Sequence, residues 1–166
     1  MRYALIENYN IDNGVGVRTV LWTQGCPHRC NGCHNAHTWN ETGGKEFTDK
    51  ERDLILYYLD EYFPKDLSVL GGEPLAPYNI EGVTSLLKYI KEVRPQTNIW
   101  LWTGYLYEDL EGKEVLNYLD VLIDGRFEES LKVDGLEFKG STNQRVINVK
   151  ESLLNKKVIL FEKNKK

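Results

Sequence analysis

Cysteine is nearly missing from this chain, and what there is sits in one place: Cys26, Cys30 and Cys33 are the only three in 166 residues. An odd count in a chain that is not cysteine-dense argues against a disulfide framework, so reduced thiols are expected. Long apolar runs are missing too. No stretch approaches the roughly 18 consecutive apolar residues that mark a membrane-spanning helix. Nor is there an excess of positive charge: 21 Lys and Arg stand against 25 Asp and Glu, for a net charge of −4. That balance gives no general reason to bind nucleic acid or a membrane surface. The opening Met1-Arg2-Tyr3-Ala4-Leu5-Ile6-Glu7 is too polar to read as a secretion signal. The expectation is a cytoplasmic protein with no nucleic-acid or membrane partner.

What is present is enough for one core. The hydrophobic content of 41% is that of a globular protein, and the length suits a single domain over residues 1–166. Within it the core is expected at about 18–125, with C-terminal strands and a basic tail over 126–166. Lys156-Lys157 and Lys163-Asn164-Lys165-Lys166 make that tail basic, as a solvated chain end commonly is.

The three thiols are spaced C-x3-C-x2-C inside Gly25-Cys26-Pro27-His28-Arg29-Cys30-Asn31-Gly32-Cys33-His34. Thiolates packed this closely select iron–sulfur clusters or zinc over hard cations. A closed site of either kind normally takes four protein ligands. Three thiolates on a four-iron cubane would leave one iron open to an outside molecule. A zinc ribbon completed by His28, His34 or His37 stays open at this point.

Periodicity orders the rest. Residues 1–17 read as irregular, with a turn at Gly14-Val15-Gly16, and Arg18 to Thr23 as a strand that runs into the cysteine loop. Thr48-Asp49-Lys50-Glu51 matches a capping box, opening a helix with Leu54, Ile55, Tyr58, Leu59 and Tyr62 on its apolar face. A strand at Leu67 to Leu70 leads into Gly71-Gly72-Glu73-Pro74. A second helix spans Ile80 to Val93 with Val83, Leu86, Leu87 and Ile90 inward, stopping at Arg94-Pro95. A strand at Asn98 to Thr103, a helix around Glu108 to Leu119 and a strand at Asp120 to Asp124 follow. Short strands are expected at Leu136 to Phe138, Arg145 to Val149 and Val158 to Phe161.

Strand–helix alternation over 18–125 predicts βαβ units and a parallel sheet. In such sheets ligands collect at the C-terminal ends of the strands. The cysteine loop, Gly71-Gly72-Glu73, Thr103-Gly104-Tyr105 and Asp124-Gly125 all fall there. Paired glycines bring bare backbone close to a ligand, and exposed carbonyls suit an ammonium group. Trp100 and Trp102, two apart on a strand, share a face and read as core. His28 and His37 read as hydrogen-bonding loop residues. Asn143, Gln144 and Arg145 could grip a partner's backbone or satisfy a loop of this chain.

Cys26-x3-Cys30-x2-Cys33 followed by Gly71-Gly72-Glu73-Pro74 resembles the radical S-adenosylmethionine (SAM) superfamily. More narrowly, the chain resembles the activating proteins of anaerobic ribonucleoside-triphosphate reductases. The carriers run from Thr23-Gln24-Gly25-Cys26-Pro27-His28-Arg29-Cys30 through Cys33-His34-Asn35, Thr38-Trp39 and Trp102-Thr103-Gly104-Tyr105. They continue with Asp124-Gly125-Arg126-Phe127 and Gly140-Ser141-x-Asn143-Gln144-Arg145. The departure is Val15, where many relatives carry proline between the two glycines.

The resemblance implies an α/β fold, a partial (open) TIM-like barrel with parallel strands and a radical SAM core. It implies a 4Fe-4S cluster on Cys26, Cys30 and Cys33, with SAM on the open iron. Gly71, Gly72 and Glu73 would hold the methionyl ammonium. Gly32, Cys33 and His34 would line the adenosyl side, and Thr103 and Asp124 would reach ribose or carboxylate. The implied activity is a glycyl radical placed near the C-terminus of the large reductase subunit. The reducing electron would come from a low-potential donor such as flavodoxin. Two other readings stand beside it: a zinc-stapled adaptor without chemistry, and a radical SAM enzyme with a small-molecule substrate. Little chain remains to build a private pocket for the latter.

Overall fold

The computed structural model describes residues 1–163. Lys165 and Lys166 of the basic tail lie outside them. Seven strands form one open mixed sheet: β1 Arg2–Asn10, β2 Arg18–Thr23, β3 Lys45–Glu46, β4 Asp66–Gly71, β5 Ile99–Trp102, β6 Val121–Asp124 and β7 Arg145–Asn148. Their spatial order is β3-β1-β2-β4-β5-β6-β7. The inner four, β2, β4, β5 and β6, are mutually parallel, as the βαβ alternation predicts. Antiparallel pairing adds β1 to β2, β3 to β1 and β7 to β6.

Where a partial, open barrel with parallel strands is expected, the structure has an open mixed sheet whose strand order ends at β3 and β7. Residues 2–10 are not irregular. Their polar members hide the strand in the sequence, and it is the exposed side of β2 that recruits them. The helix expected over 108–119 breaks at Gly112 into α3, Tyr107–Leu110, and a 3-10 turn at Glu114–Tyr118. No strand forms at 136–138, where Phe138 has a positive φ of 65°. The 158–161 segment contributes a single bridge, Leu160 to Ile147. An unanticipated helix, α4 Val149–Asn155, is capped by the Asn148 side chain, which accepts from Glu151 N–H.

Helices α1 Asp49–Asp60 and α2 Ile80–Val93 cover one sheet face. The capping box at Thr48 and Glu51 is present, and Val83, Leu86, Leu87 and Ile90 of α2 are all buried against the sheet. Tyr62 leaves the predicted apolar face: it lies past the end of α1, with φ of 63°, and is 87% exposed. Strand alternation then divides the core. Leu21, Leu67, Val69, Ile99, Leu101 and Leu122 face the helices, while Trp100, Val121 and Ile123 face the other way under Phe138 and Phe161. On this second face Arg18 is fully buried. It donates to Ser68 Oγ at 2.6 Å and to the carbonyls of Leu67 at 2.7 Å and Asn98 at 2.9 Å. Burial pushes its pKa down to about 10.

Candidate metal centre

The parallel register sets the site. Thr23 pairs with Gly71, so the cysteine loop and the glycine pair leave adjacent strands at the same level. Gly72 N–H donates to Thr23 O at 2.9 Å, and Glu73 N–H donates to Gly25 O at 2.7 Å. These contacts lace the two loops together backbone to backbone. A Cβ on Gly71 would come 2.6 Å from Thr23 N, and Gly71 has φ of 112°. A Cβ on Gly72 would come 2.9 Å from the Gly25 carbonyl carbon. Both positions thus require glycine for the packing of the loops on each other.

One cavity of about 630 Å³, mouth included, lies over these strand ends. Cys26, Cys30 and Cys33 line it together with Gly71, Gly72, Glu73 and Thr103. Seven of the ten site residues singled out from the sequence are thereby brought to one wall. Three are not. Gly32 faces the Glu129 side chain, whose Cδ would lie 2.7 Å from a Cβ there. His34 lines the adjoining cavity instead, its ring 6.1 Å from that of Phe127. Asp124 is fully buried. It accepts from Tyr107 N–H at 2.8 Å and from Arg145, leaving its neighbour Gly125 to line the cavity.

Each sulfur meets a backbone N–H. Burial pushes the Cys26 thiol up, and the backbone groups of His28 and Arg29 that hydrogen-bond to it pull the other way. Burial also raises Cys30, as does neighbouring Cys33, against a backbone bond from Phe127 and the charge of Arg126. Asn35 N–H donates to Cys33 Sγ at 3.3 Å. Three thiols on one loop, each with amide donors beside it, fit an iron–sulfur cluster, whose sulfurs are stabilised by such bonds. A lone zinc ion needs ligands about 2.0–2.3 Å away. Among the described residues no three His, Cys, Asp or Glu side chains group tightly enough to hold a single ion.

His28 is the hydrogen-bonding loop residue expected, with Nε2 2.8 Å from Glu73 Oε2. Trp100 is core, as its strand position predicts, but Trp102 lines the cavity and donates through Nε1 to Phe138 O at 2.7 Å. Gln144 and Asn143 are occupied by this chain's own loops. Gln144 Nε2 donates to Gly125 O and Asn143 Nδ2 to Arg126 O, both at 2.8 Å. They fasten the segment that carries Arg126 and Phe127 to the cysteines. Sequence reading gave Arg126, Phe127 and Gln144 no place at the metal centre. Each is roughly a hundred residues from the thiols, and beyond the Gly125 turn after a strand only their place among the residues that carry the family resemblance hinted at them.

Comparison with known proteins agrees with this geometry. The family model described as "4Fe-4S single cluster domain" matches residues 12–147. The chain is 40% identical over 146 residues to the anaerobic ribonucleoside-triphosphate reductase-activating protein of Enterobacteria phage T4, covering 88% of this chain and 93% of the relative. The protein of the same name from Vibrio cholerae is 38% identical over 148 residues, covering 87% and 96%. That from Escherichia coli is 37% identical over 150 residues, covering 88% and 97%.

Proposed function

This chain belongs to the family of anaerobic ribonucleoside-triphosphate reductase-activating proteins, built on a 4Fe-4S single cluster domain, and from that premise we propose that it is a radical SAM activase. The observation that carries the proposal is that three thiols and a bare glycine backbone line the same cavity. Cys26, Cys30 and Cys33 would hold the 4Fe-4S cluster, three thiolates serving four irons. When bound, the reduced cluster would supply the electron for radical chemistry on SAM, directed at a glycine of the reductase.

The protein's own residues bind, orient and exclude. Backbone at Gly71 and Gly72 presents oxygen acceptors to the methionyl ammonium, which carries only donors. Both oxygens of the Glu73 carboxylate are engaged by protein donors, so Glu73 supports that shelf. Cys33 and His34 open toward the adjoining cavity, where Trp102 and Phe127 offer flat apolar faces to an adenosyl group. Gly32 keeps the turn before Cys33. Thr103 joins the wall through Glu73, and Asp124 holds the end of β6 through Arg145.

A carbon radical reacts with whatever is near it, and this chain has little structure beyond its sheet and helices to cover the rim. The large reductase subunit supplies the remaining wall by inserting a glycine-bearing segment. A low-potential donor such as flavodoxin supplies the electron. The test is electron paramagnetic resonance on reduced protein, SAM and reductase, with a reductase whose C-terminal glycine is changed to alanine as control. A stable glycyl signal only with the unaltered reductase is expected. An equal signal from the control would overturn the reading.

A further inference from the structure

His28 and Glu73 are among the most enclosed polar side chains at the site, 5% and 1% exposed. Neither has a role in binding in the account above. Four donors from three segments converge on the Glu73 carboxylate. Oε1 accepts from Leu75 N–H at 2.9 Å and from Thr103 Oγ1 at 2.7 Å. Oε2 accepts from Gly104 N–H at 2.7 Å and from His28 Nε2 at 2.8 Å. Two bonds at each oxygen fill the directions a carboxylate offers. Because Oε2 is an acceptor, the His28 proton sits on Nε2.

The ring of His28 is held in a slot. Tyr105 meets it edge-on at 4.8 Å. Gly104 closes the other side, where a Cβ would stand 2.6 Å from His28 Nε2. At its other end the same residue hydrogen-bonds Cys26 through its backbone. One residue therefore ties the first cluster thiol to the loop that follows the glycine pair, across 45 positions of sequence.

We infer that His28 is a positioning residue that sets the cluster loop relative to the Gly71-Gly72 shelf. This rests on the reading of the cavity as a cluster and SAM site. SAM has to reach the open iron and the glycine backbone at once, so the spacing between the two loops fixes whether both contacts form. The Glu73–His28 bond fixes that spacing on the Cys26 side. The three cysteines alone suffice to hold the cluster.

The experiment uses anaerobically reconstituted holoprotein and three variants. His28→Gln keeps an N–H within reach of Glu73. His28→Leu fills the slot without a donor. Gly104→Ala leaves both partners in place but presses a methyl group on the ring. Iron content, SAM affinity and the change that SAM produces in the electron paramagnetic resonance spectrum of the reduced cluster are read for each. All three variants keep wild-type iron. His28→Leu and Gly104→Ala bind SAM about tenfold more weakly or worse, as loss of one buried polar contact implies, and lose most of the spectral change. His28→Gln stays within about threefold of wild type.

Wild-type SAM affinity and spectral response in His28→Leu would overturn the inference. So would a His28→Gln as impaired as His28→Leu, or loss of iron from His28→Leu. The wild-type response reads the cavity itself: a cluster-loaded wild type that ignores SAM would overturn the site reading instead.

Discussion

The α-carbon of Gly72 rests on the carbonyl of Gly25, the residue before Cys26, leaving no room for a side chain between them. The glycine pair and the cysteine loop are consequently one packed unit. From the sequence the pair reads only as bare backbone brought close to a ligand.

Gly72→Val should for that reason damage both functions together. The added branches meet Gly25 backbone, which has no flexible end to swing away. A destabilisation of about 1–3 kcal/mol is expected from overpacking at such a contact. Iron retention and SAM affinity, measured on the same preparation, should fall in parallel. Full iron with selective loss of SAM binding would show that the loops move independently.

Cys26→Ala, Cys30→Ala and Cys33→Ala should each abolish the cluster while leaving the sheet folded, since the thiols line the cavity and belong to neither hydrophobic core. Protein prepared without oxygen should be brown with about four irons per chain, as a cubane requires. Iron and zinc analysis beside far-ultraviolet circular dichroism checks this. Stoichiometric zinc with no cluster on reconstitution would contradict it.

Asp120 supplies an acid-sensitive part of the stability. Burial raises its pKa, but Lys150, the Ile99 N–H at 2.8 Å and Lys91 at 2.9 Å outweigh that and hold it below the usual carboxylate value. A depressed folded pKa contributes stability above the unfolded value, near 3.9, that is lost as pH falls through the folded one. Asp120→Asn should therefore cost about 1–3 kcal/mol at neutral pH and progressively less in acid. Denaturation midpoints of wild type and variant at pH 7 and pH 3 give the comparison. A constant gap would refute it.

Arg18→Met should destabilise the protein by about 2–4 kcal/mol, because it leaves buried carbonyls without donors. The Leu67 and Asn98 carbonyls lose partners at 2.7 and 2.9 Å. Arg18 lies at the start of β2, with the cysteines beyond its far end, so the folded fraction should keep its iron. Denaturant titration and iron analysis separate the two effects.

The sequence by itself determined the cysteine loop, the parallel centre of the sheet and α2. These are local properties: the eight residues from Cys26 to Cys33 place three thiols on one loop, and a 3.6-residue apolar period specifies a helix face without reference to anything distant. It also placed the strand ends on one rim, since βαβ connections are right-handed. Only the tertiary structure decided the rest. β1 is a strand because β2 has an edge to satisfy, not because its own residues demand it. Glu73 holds His28, Thr103 and Gly104 because three loops separated by 30 residues or more meet at its carboxylate. Arg126 and Phe127 reach the Cys30 sulfur by the same route, across nearly a hundred residues. Hydrogen bonds at such separations leave no periodic trace in the chain. They exist only once the sheet has brought the ends of its strands together.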